Sequence, residues 1–354
     1  MVQKSLYFFP QALLKLLFII SVLFCICVFT FDAAGKSQYI IKFATVAPDG
    51  STWVKHLRIL DKDIREKSNN LLQIRIYAGG IAGDELDVLK KIRIGQIHCA
   101  AFSGVGFGQI MPMVRVMDLP FLFPDDHTID IVHNELRNFF SEKFRKKGFE
   151  LLAWAEVGNV HIFSKKPIRT IQDLSGLKVW AWAGDPIAKE TFKAMGINPI
   201  PLAITDVNTS LHTGMLNTVY APPLGALALQ WDNTMKYMQE LPLVHSTGAI
   251  LISSRYFNKL PPDLSKLLCE TFDKYMKTLT LKLREQNQEA LYILKKNGIT
   301  ITPCPIGADL ADFRKIHNVV AKKLVEKIYP KDVLKRVYGI IQTAKKKNVY
   351  PKKD

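Results

Sequence analysis

The sequence has few cysteines, and they lack the spacing that disulfide-rich or zinc-binding proteins need. Only five of its 354 residues are cysteine. Cys25 and Cys27 belong to an apolar run near the N-terminus, while Cys99, Cys269 and Cys304 lie far apart and form no C-x-x-C pair. An odd number of distant thiols argues against a disulfide framework or a zinc site. We therefore expect three buried free thiols in the mature chain.

The short motifs of common catalytic and nucleotide-binding sites are also missing. Glycines 104, 106 and 108 do not have the spacing of a dinucleotide fingerprint, and neither a phosphate loop nor a G-x-S-x-G turn occurs. Four histidines are scattered without metal-ligand spacing: His98, His161, His212 and His245. These absences predict a protein that is not an enzyme and that uses no cofactor or metal.

Acidic residues are outnumbered by basic ones, and the formal net charge is +16. The basic residues are dispersed through amphipathic segments, which is typical of solvated helix faces rather than of a nucleic-acid-binding surface. The C-terminal tail is an exception, because lysines cluster there between positions 345 and 353. We expect this tail to contact anionic lipid or a protein partner.

The longest apolar run, Leu16–Phe31, follows Lys15 and precedes small residues at Ala33 and Gly35. At about 16 residues it is shorter than the roughly 20 that span a bilayer. The pattern predicts a signal peptide over residues 1–35, cleaved before Lys36, and a periplasmic or otherwise extracytoplasmic mature protein. A retained membrane anchor is the alternative.

Strand-like and helix-like segments alternate along the rest of the chain. The predicted strands are 39–45, 72–77, 98–102, 153–156, 178–181 and 218–220, and the predicted helices are 51–67, 84–94, 186–195, 206–213 and 225–231. This alternation predicts an α/β fold with a mostly parallel sheet and helices on both faces. A single helical pattern over 262–297 would be about 50 Å long.

Four stretches carry a family resemblance: FATVAPDGSTWVK (43–55), GIAGDELDVLKKIRIG (80–95), VRVMDLPFLFP (114–124) and LSGLKVWAWAGDP (174–186), continued by a fifth over 196–223. In their order and spacing the chain resembles the DctP-type solute-binding proteins of TRAP transporters, from about residue 41 to 329. The resemblance implies a two-lobed periplasmic-binding-protein fold with the ligand between the lobes. It also implies a receptor that delivers a small molecule to the small and large TRAP membrane subunits.

On this basis we expect a signal peptide over 1–35, lobe I over 36–150 with a return segment near 245–260, and lobe II over 151–244. A long connecting helix follows over 262–297, and then C-terminal helices and the basic tail over 298–354. In open α/β sheets, ligands bind beyond the carboxyl ends of strands. The strand-to-helix junctions of both lobes are therefore expected to face the cleft.

The chain departs from the family pattern where most members bind a carboxylate. Trp180 stands at the position of the family's carboxylate-binding arginine, Ala221 at that of an asparagine, and Val160 or His161 near that of a second arginine. We therefore predict an aromatic-walled pocket for an apolar or planar ligand. The predicted ligand-binding residues are Trp53, Glu85, Phe102, Asn159, Trp180, Trp182, Asp185, Tyr220, Ala221 and Trp231.

Several alternatives stay open from the sequence. Phe102 and Trp231 are as well suited to packing a lobe core, and Glu85 to pairing with its helix dipole. An organic acid is a possible ligand if Arg115 or Arg169 reaches the cleft. The fold is also compatible with a scaffold that has lost transport. Family members that lack the arginine, as this chain does, include some that pair with a tetratricopeptide-repeat protein, a further expected partner.

Overall fold

The computed structural model describes residues 38–349, so the predicted signal peptide and the end of the basic tail lie outside the described residues. The strands are β1 (Tyr39–Ala44), β2 (Leu72–Tyr77), β3 (Cys99–Ser103), β4 (Phe149–Ser164), β5 (Trp180–Trp182), β6 (Ile200–Leu202), β7 (Thr218–Ala221), β8 (Tyr237–Gln239), β9 (Val244–Ser253) and β10 (Thr300–Thr302). The helices are α1 (Thr52–Lys67), α2 (Glu85–Arg93), α3 (Gly104–Ile110), α4 (Asp126–Lys146), α5 (Pro186–Ala194), α6 (Val207–His212), α7 (Pro223–Ala228), α8 (Ser254–Phe257), α9 (Pro262–Lys296), α10 (Gly307–Leu324) and α11 (Lys331–Val349).

One large sheet runs through both lobes in the order β10-β8-β4-β9-β3-β1-β2, with β7 also paired to β4. The pairs β1–β2, β1–β3 and β8–β10 are parallel, as is the small separate pair β5–β6. The pairs that involve β4 or β9 are antiparallel. The α/β prediction is confirmed, but the sheet is mixed rather than mostly parallel because two crossing strands join the lobes.

Strand β4 is much longer than the predicted segment 153–156. It pairs with β9 from Phe149 to Val160, then with β7 from His161 to Ser164, and with β8 at Phe163 and Ser164. Register shifts occur between Leu151 and Ala153 and again near Gly158. These irregularities let one strand bend out of the first lobe and into the second, as bulges do in other sheets.

The long helix α9 is confirmed, and it contacts α1 in one lobe and α7 in the other. Pro262 begins it without needing the missing N–H, and Asp263 follows in the first turn. Buried residues recur every three or four positions from Leu264 to Leu294. The C-terminal helices repeat this bridging, since α10 packs on α5 and α11 packs on α4.

The glycine-rich segment after β3 forms helix α3, which the sequence analysis does not predict. Its glycines leave room for buried side chains from neighbouring elements. A Cβ on Gly108 would lie 2.6 Å from Cδ of Arg115, and one on Gly104 would lie 3.0 Å from Cζ of the same residue. The helix therefore forms because tertiary packing overrides the low helix propensity of glycine.

Of the three cysteines in the described part of the chain, Cys99 is buried, while Cys269 and Cys304 are half-buried. The expectation of three fully buried thiols is therefore met only at Cys99, and all three thiols are free. Within residues 38–349, every helix is too short or too polar to cross a membrane.

Candidate ligand-binding site

A cavity of about 380 Å³ lies between the two lobes. Nine of the ten predicted ligand-binding residues line it: Trp53, Glu85, Phe102, Trp180, Trp182, Asp185, Tyr220, Ala221 and Trp231. Asn159 is not at the wall, and its Oδ1 atom lies 3.3 Å from Nδ1 of His245 instead. Contact of the nine with a ligand stays a prediction, but the fold does bring them together.

The cavity forms where strands of both lobes end. Thr45 follows β1, Ser103 ends β3, Trp182 ends β5 and Ala221 ends β7, and all four line the wall. Three N-cap side chains are also at the wall, where they accept hydrogen bonds from the first turns of α1, α3 and α5: Ser51, Ser103 and Asp185. The arrangement follows the general placement of ligand sites at the carboxyl ends of strands.

Trp180 occupies the centre of an aromatic cluster. Its ring stacks on Tyr220, with centroids 4.9 Å apart, and lies edge-on to Trp231 at 5.4 Å. Only 1% of Trp180 is exposed, and its Nε1 atom donates a 2.9 Å hydrogen bond to the carbonyl of Leu202. Because indole has a single donor, Trp180 offers the cavity only apolar surface.

Phe102 and Trp231 pack in hydrophobic cores and also line the cavity, the two roles that the sequence leaves open for them. Phe102 belongs to a hydrophobic cluster that extends from the first lobe into the second, Trp231 belongs to a cluster that includes Trp180, and both residues are almost fully buried. Each also lines the cavity. The aromatic wall is therefore part of the lobe cores, so its shape is fixed by their packing.

Arg115 reaches the cavity and is held by two carboxylates. Its Nη2 atom lies 2.7 Å from Oδ1 of Asp185, and its Nε atom lies 2.9 Å from Oδ2 of Asp118. All three side chains are buried. Burial raises the pKa of Asp118 to about 7 despite the opposing effect of Arg115. The guanidinium is thus neutralised by the protein itself.

Glu85 accepts hydrogen bonds from the turn that begins α3. The donors are the backbone N–H of Ser103 at 2.8 Å, the Ser103 hydroxyl at 2.9 Å and the backbone N–H of Gly106 at 2.8 Å. Burial raises the pKa of Glu85 to about 7, and these hydrogen bonds oppose the shift. Glu85 is therefore a structural support of the wall as well as a lining residue.

His245 closes the cavity from β9. Its Nε2 atom lies 3.3 Å from Oε2 of Glu156, whose carboxylate also accepts hydrogen bonds from Arg284 on α9. Burial raises the pKa of Glu156, but the nearby His245 and the hydrogen bonds from Arg284 outweigh this effect and lower the pKa to about 2. His245 thus faces the cavity with an anionic partner behind it.

Three polar contacts join the lobes around the cavity. Trp182 Nε1 donates to Asp84 Oδ2 at 2.8 Å, and Gln109 Nε2 donates to the carbonyl of Gly184 at 3.2 Å. The third contact is the pair between Arg115 and Asp185. Asp84, Gln109 and Arg115 belong to the first lobe and their partners to the second, so the structure is a closed form.

Asp118 was not predicted from the sequence, and Arg115 was predicted only as an alternative. Both lie in the otherwise apolar stretch 114–124, three residues apart in a 3-10 helix over Pro112–Asp118. Opposite charges at this spacing within an apolar run are a signal of a buried pair. Arg169, the other arginine considered, is exposed and does not line the cavity.

The chain is similar in sequence to known binding proteins. The family model of bacterial extracellular solute-binding proteins, family 7, matches residues 43–328. The 2,3-diketo-L-gulonate-binding periplasmic protein of Escherichia coli is 22% identical over 244 residues, covering 67% of this chain and 73% of that protein.

Solved structures share the fold. The sugar acid binding protein of Advenella mimigardefordensis, in complex with galactonate, superposes with a TM-score of 0.82 at 20% identity, covering 88% of this chain and all of that one. A TRAP periplasmic solute-binding protein of Desulfovibrio salexigens with bound orotic acid gives 0.80 at 21% identity, covering 87% of this chain and 100% of that one. These likenesses extend over both lobes.

Proposed function

The chain belongs to the bacterial extracellular solute-binding protein family 7, whose TRAP-type receptors bind small ligands and work with membrane subunits, and we propose that its own ligand is apolar or planar. The ligand would lie between the lobes, against Trp180, Trp182 and Tyr220. The observation that carries this proposal is Trp180, which fills the position of the expected arginine and has its N–H already bonded to Leu202.

Energetics favour this ligand class over an acid. A carboxylate that enters a closed cleft loses several kcal/mol of hydration and needs hydrogen bonds to charged groups, worth roughly 1.5 to 3 kcal/mol each, to offset the loss. Among the residues at the wall the only guanidinium is that of Arg115, which is paired to Asp118 and Asp185. An acid would have to displace one of these carboxylates.

A second candidate is an organic acid held by Arg115. The observation in its favour is that Arg115 lies at the cavity wall. The relatives with bound galactonate and orotic acid show that the fold accommodates acids. This candidate requires Asp118 or Asp185 to turn away or to become protonated, and it therefore ranks second.

A binding experiment separates the two candidates. The neutral fluorescent probe N-phenyl-1-naphthylamine should bind saturably at one site per chain, and neither succinate nor galactonate should displace it or give calorimetric heat. Ala221→Phe, which fills part of the cavity, should abolish probe binding, whereas Ala308→Phe on the exposed start of α10 should not. Tight succinate binding that displaces the probe would establish the acid instead.

Export and partner choice complete the proposal. The apolar run before Lys36 supports cleavage of a leader, and N-terminal sequencing of the mature protein should start within a few residues of Lys36. Trp180 supports membership of the arginine-lacking subgroup, in which a tetratricopeptide-repeat partner is expected. Cross-linking in intact cells followed by mass spectrometry should then recover such a protein together with the membrane subunits. Recovery of the membrane subunits alone would contradict the tetratricopeptide-repeat partner.

A further inference from the structure

Carboxyl groups outnumber cations at the wall of the cavity. The acidic and basic side chains there are those of Glu85, Asp118, Asp185 and Arg115, and no lysine is among the residues that line it. His245, also at the wall, has the carboxylate of Glu156 directly behind it. His245 therefore faces Glu156 rather than offering the cavity an unpaired cation, and the wall keeps more carboxyl groups than cations.

Asp118 is the least satisfied of these carboxyls. Only 6% of the residue is exposed, yet neither oxygen accepts a well-aligned hydrogen bond from the described residues. The Nε atom of Arg115 lies 2.9 Å away but out of line, and it is itself without a hydrogen bond. A buried carboxylate in this state is stabilised by any positive charge that enters the cavity.

The neighbouring wall is aromatic. Trp180, Trp182 and Tyr220 line the cavity together with Trp53 and Trp231. Aromatic faces attract cations through the negative charge of their π-systems, and cages of such rings bind ammonium groups in other proteins. The cavity thus combines carboxyl groups and aromatic faces, both of which attract an organic cation. Both also disfavour an acid.

We propose that the ligand of this receptor is an organic cation, with an apolar or aromatic body and an ammonium group that lies near Asp118 and the aromatic wall. This inference rests on the proposed function, because it places the cation in the same cavity. It narrows the ligand class from apolar molecules in general to hydrophobic amines. At about 380 Å³ the cavity falls within the size range of small-ligand pockets.

Matched probes test the charge separately from the apolar body. Tryptamine, tryptophol and indole-3-propionic acid share an indole and end in an ammonium, a hydroxyl and a carboxylate; octylamine, octanol and nonanoic acid repeat the comparison on an alkyl chain. In calorimetry at pH 7.5 the amine of at least one set should bind about tenfold or more tightly than its alcohol, with the acid weakest. Equal or tighter binding of the alcohol in both sets would overturn the cation and leave the apolar receptor standing, whereas tightest binding of the acid in both sets would overturn both in favour of an acid. If no probe binds at all, the apolar receptor is overturned as well.

Charge-removing variants locate the effect. Asp118→Asn keeps the shape of the side chain and should reduce the preference for amine over alcohol about tenfold, while alcohol binding changes little. Should this variant fail to fold, Glu85→Gln removes a second carboxyl at the wall and should act in the same direction. Asp312→Asn, which removes an exposed carboxylate on α10, controls for net charge and should change nothing. An amine preference that survives both cavity variants would contradict the proposal.

Discussion

At the scale of single residues, the site is shaped by charges buried among apolar side chains. Glu85, Arg115 and Asp118 are buried at the wall, and the side chain of Asp185 beside them is only 9% exposed. Their positions are fixed by hydrogen bonds and ion pairs within the protein, with Glu85 bound to the start of α3 and Asp185 to the start of α5. Burial nonetheless leaves Glu85 and Asp118 with raised pKa values, which makes stability depend on pH.

The first prediction concerns this pH dependence. In the folded protein Glu85 keeps its proton up to about pH 7, because its pKa is raised to about 7. In the unfolded chain the same carboxyl loses its proton near its ordinary pKa of 4.5. The resulting stability is fully present below pH 4.5 and is lost as pH rises through about 7. Glu85→Gln should therefore flatten the fall in the free energy of unfolding between pH 5 and 8, measured by urea titration.

Asp118 sets how large that change should be. Its pKa is also raised to about 7, so it contributes a fall of the same sign. Glu85→Gln and Asp118→Asn should each remove part of the fall, and the double variant should remove more than either single one. Glu142→Gln, on the exposed face of α4, is the control and should keep the full fall. A slope unchanged in the Glu85 variant would show that this carboxyl ionises normally.

At the scale of elements, helix α3 shows how packing overrides local preference. Its first five residues include Gly104, Gly106 and Gly108, and most of the helix is buried. Glycine disfavours an isolated helix by about 1 kcal/mol relative to alanine. Here a larger side chain would strike Arg115, Asp118, Phe102 or Glu85, so the glycines allow the buried charges to fit against the helix.

The second prediction uses this contrast. Gly108→Ala should destabilise the protein by about 1 to 3 kcal/mol, because its Cβ would lie 2.6 Å from Cδ of Arg115. Gly339→Ala is the matched control, since Gly339 is exposed on α11 with nothing within 4 Å of a Cβ, and it should stabilise by up to about 1 kcal/mol. Chemical unfolding of both variants measures the difference. If both variants changed the free energy of unfolding in the same direction, the packing argument would be contradicted.

Elements with strong local signals were predictable from the sequence. Apolar residues at helical spacing and Pro262 define α9, and strand-like segments give β1, β2 and β3 close to their observed bounds. The full length of β4 was not predictable, because Gly158 and Asn159 interrupt its apolar pattern while pairing with β9 continues past them. Helix α3 was missed for a similar reason, since its stability comes from residues distant in sequence.

At the scale of the whole molecule, the two lobes meet around the cavity through a few polar contacts. Trp182 binds Asp84, Gln109 binds the carbonyl of Gly184, and Arg115 binds Asp185. The sequence could place most site residues at strand ends, where the fold gathers them. It could not show that Arg115 is also paired with Asp185, because that pairing needs both lobes in contact. We propose that these contacts hold the closed form and that the lobes move about β4, β9 and the long helix.

The third prediction is that Trp182→Phe shifts the protein towards an open form. The change keeps an aromatic ring but removes the 2.8 Å hydrogen bond to Asp84, worth roughly 1.5 to 3 kcal/mol because the acceptor is a carboxylate. Small-angle scattering should give a larger radius of gyration for the variant. Trp154→Phe is the matched control, since it removes a 3.0 Å hydrogen bond from Trp154, which pairs with β9, to the carbonyl of His133, away from the Trp182–Asp84 contact. Identical scattering from the two variants would show that the Trp182 contact does not hold the lobes together.

The identity of the naturally bound molecule tests the account most directly. Native mass spectrometry of the protein from its own cells, followed by identification of the molecule released on denaturation, reads the ligand without any choice of probe. We predict one bound molecule per chain, with an apolar or aromatic body and an ammonium group, and no such molecule on Ala221→Phe. Recovery of a dicarboxylate or a sugar acid from the wild-type protein would contradict the account.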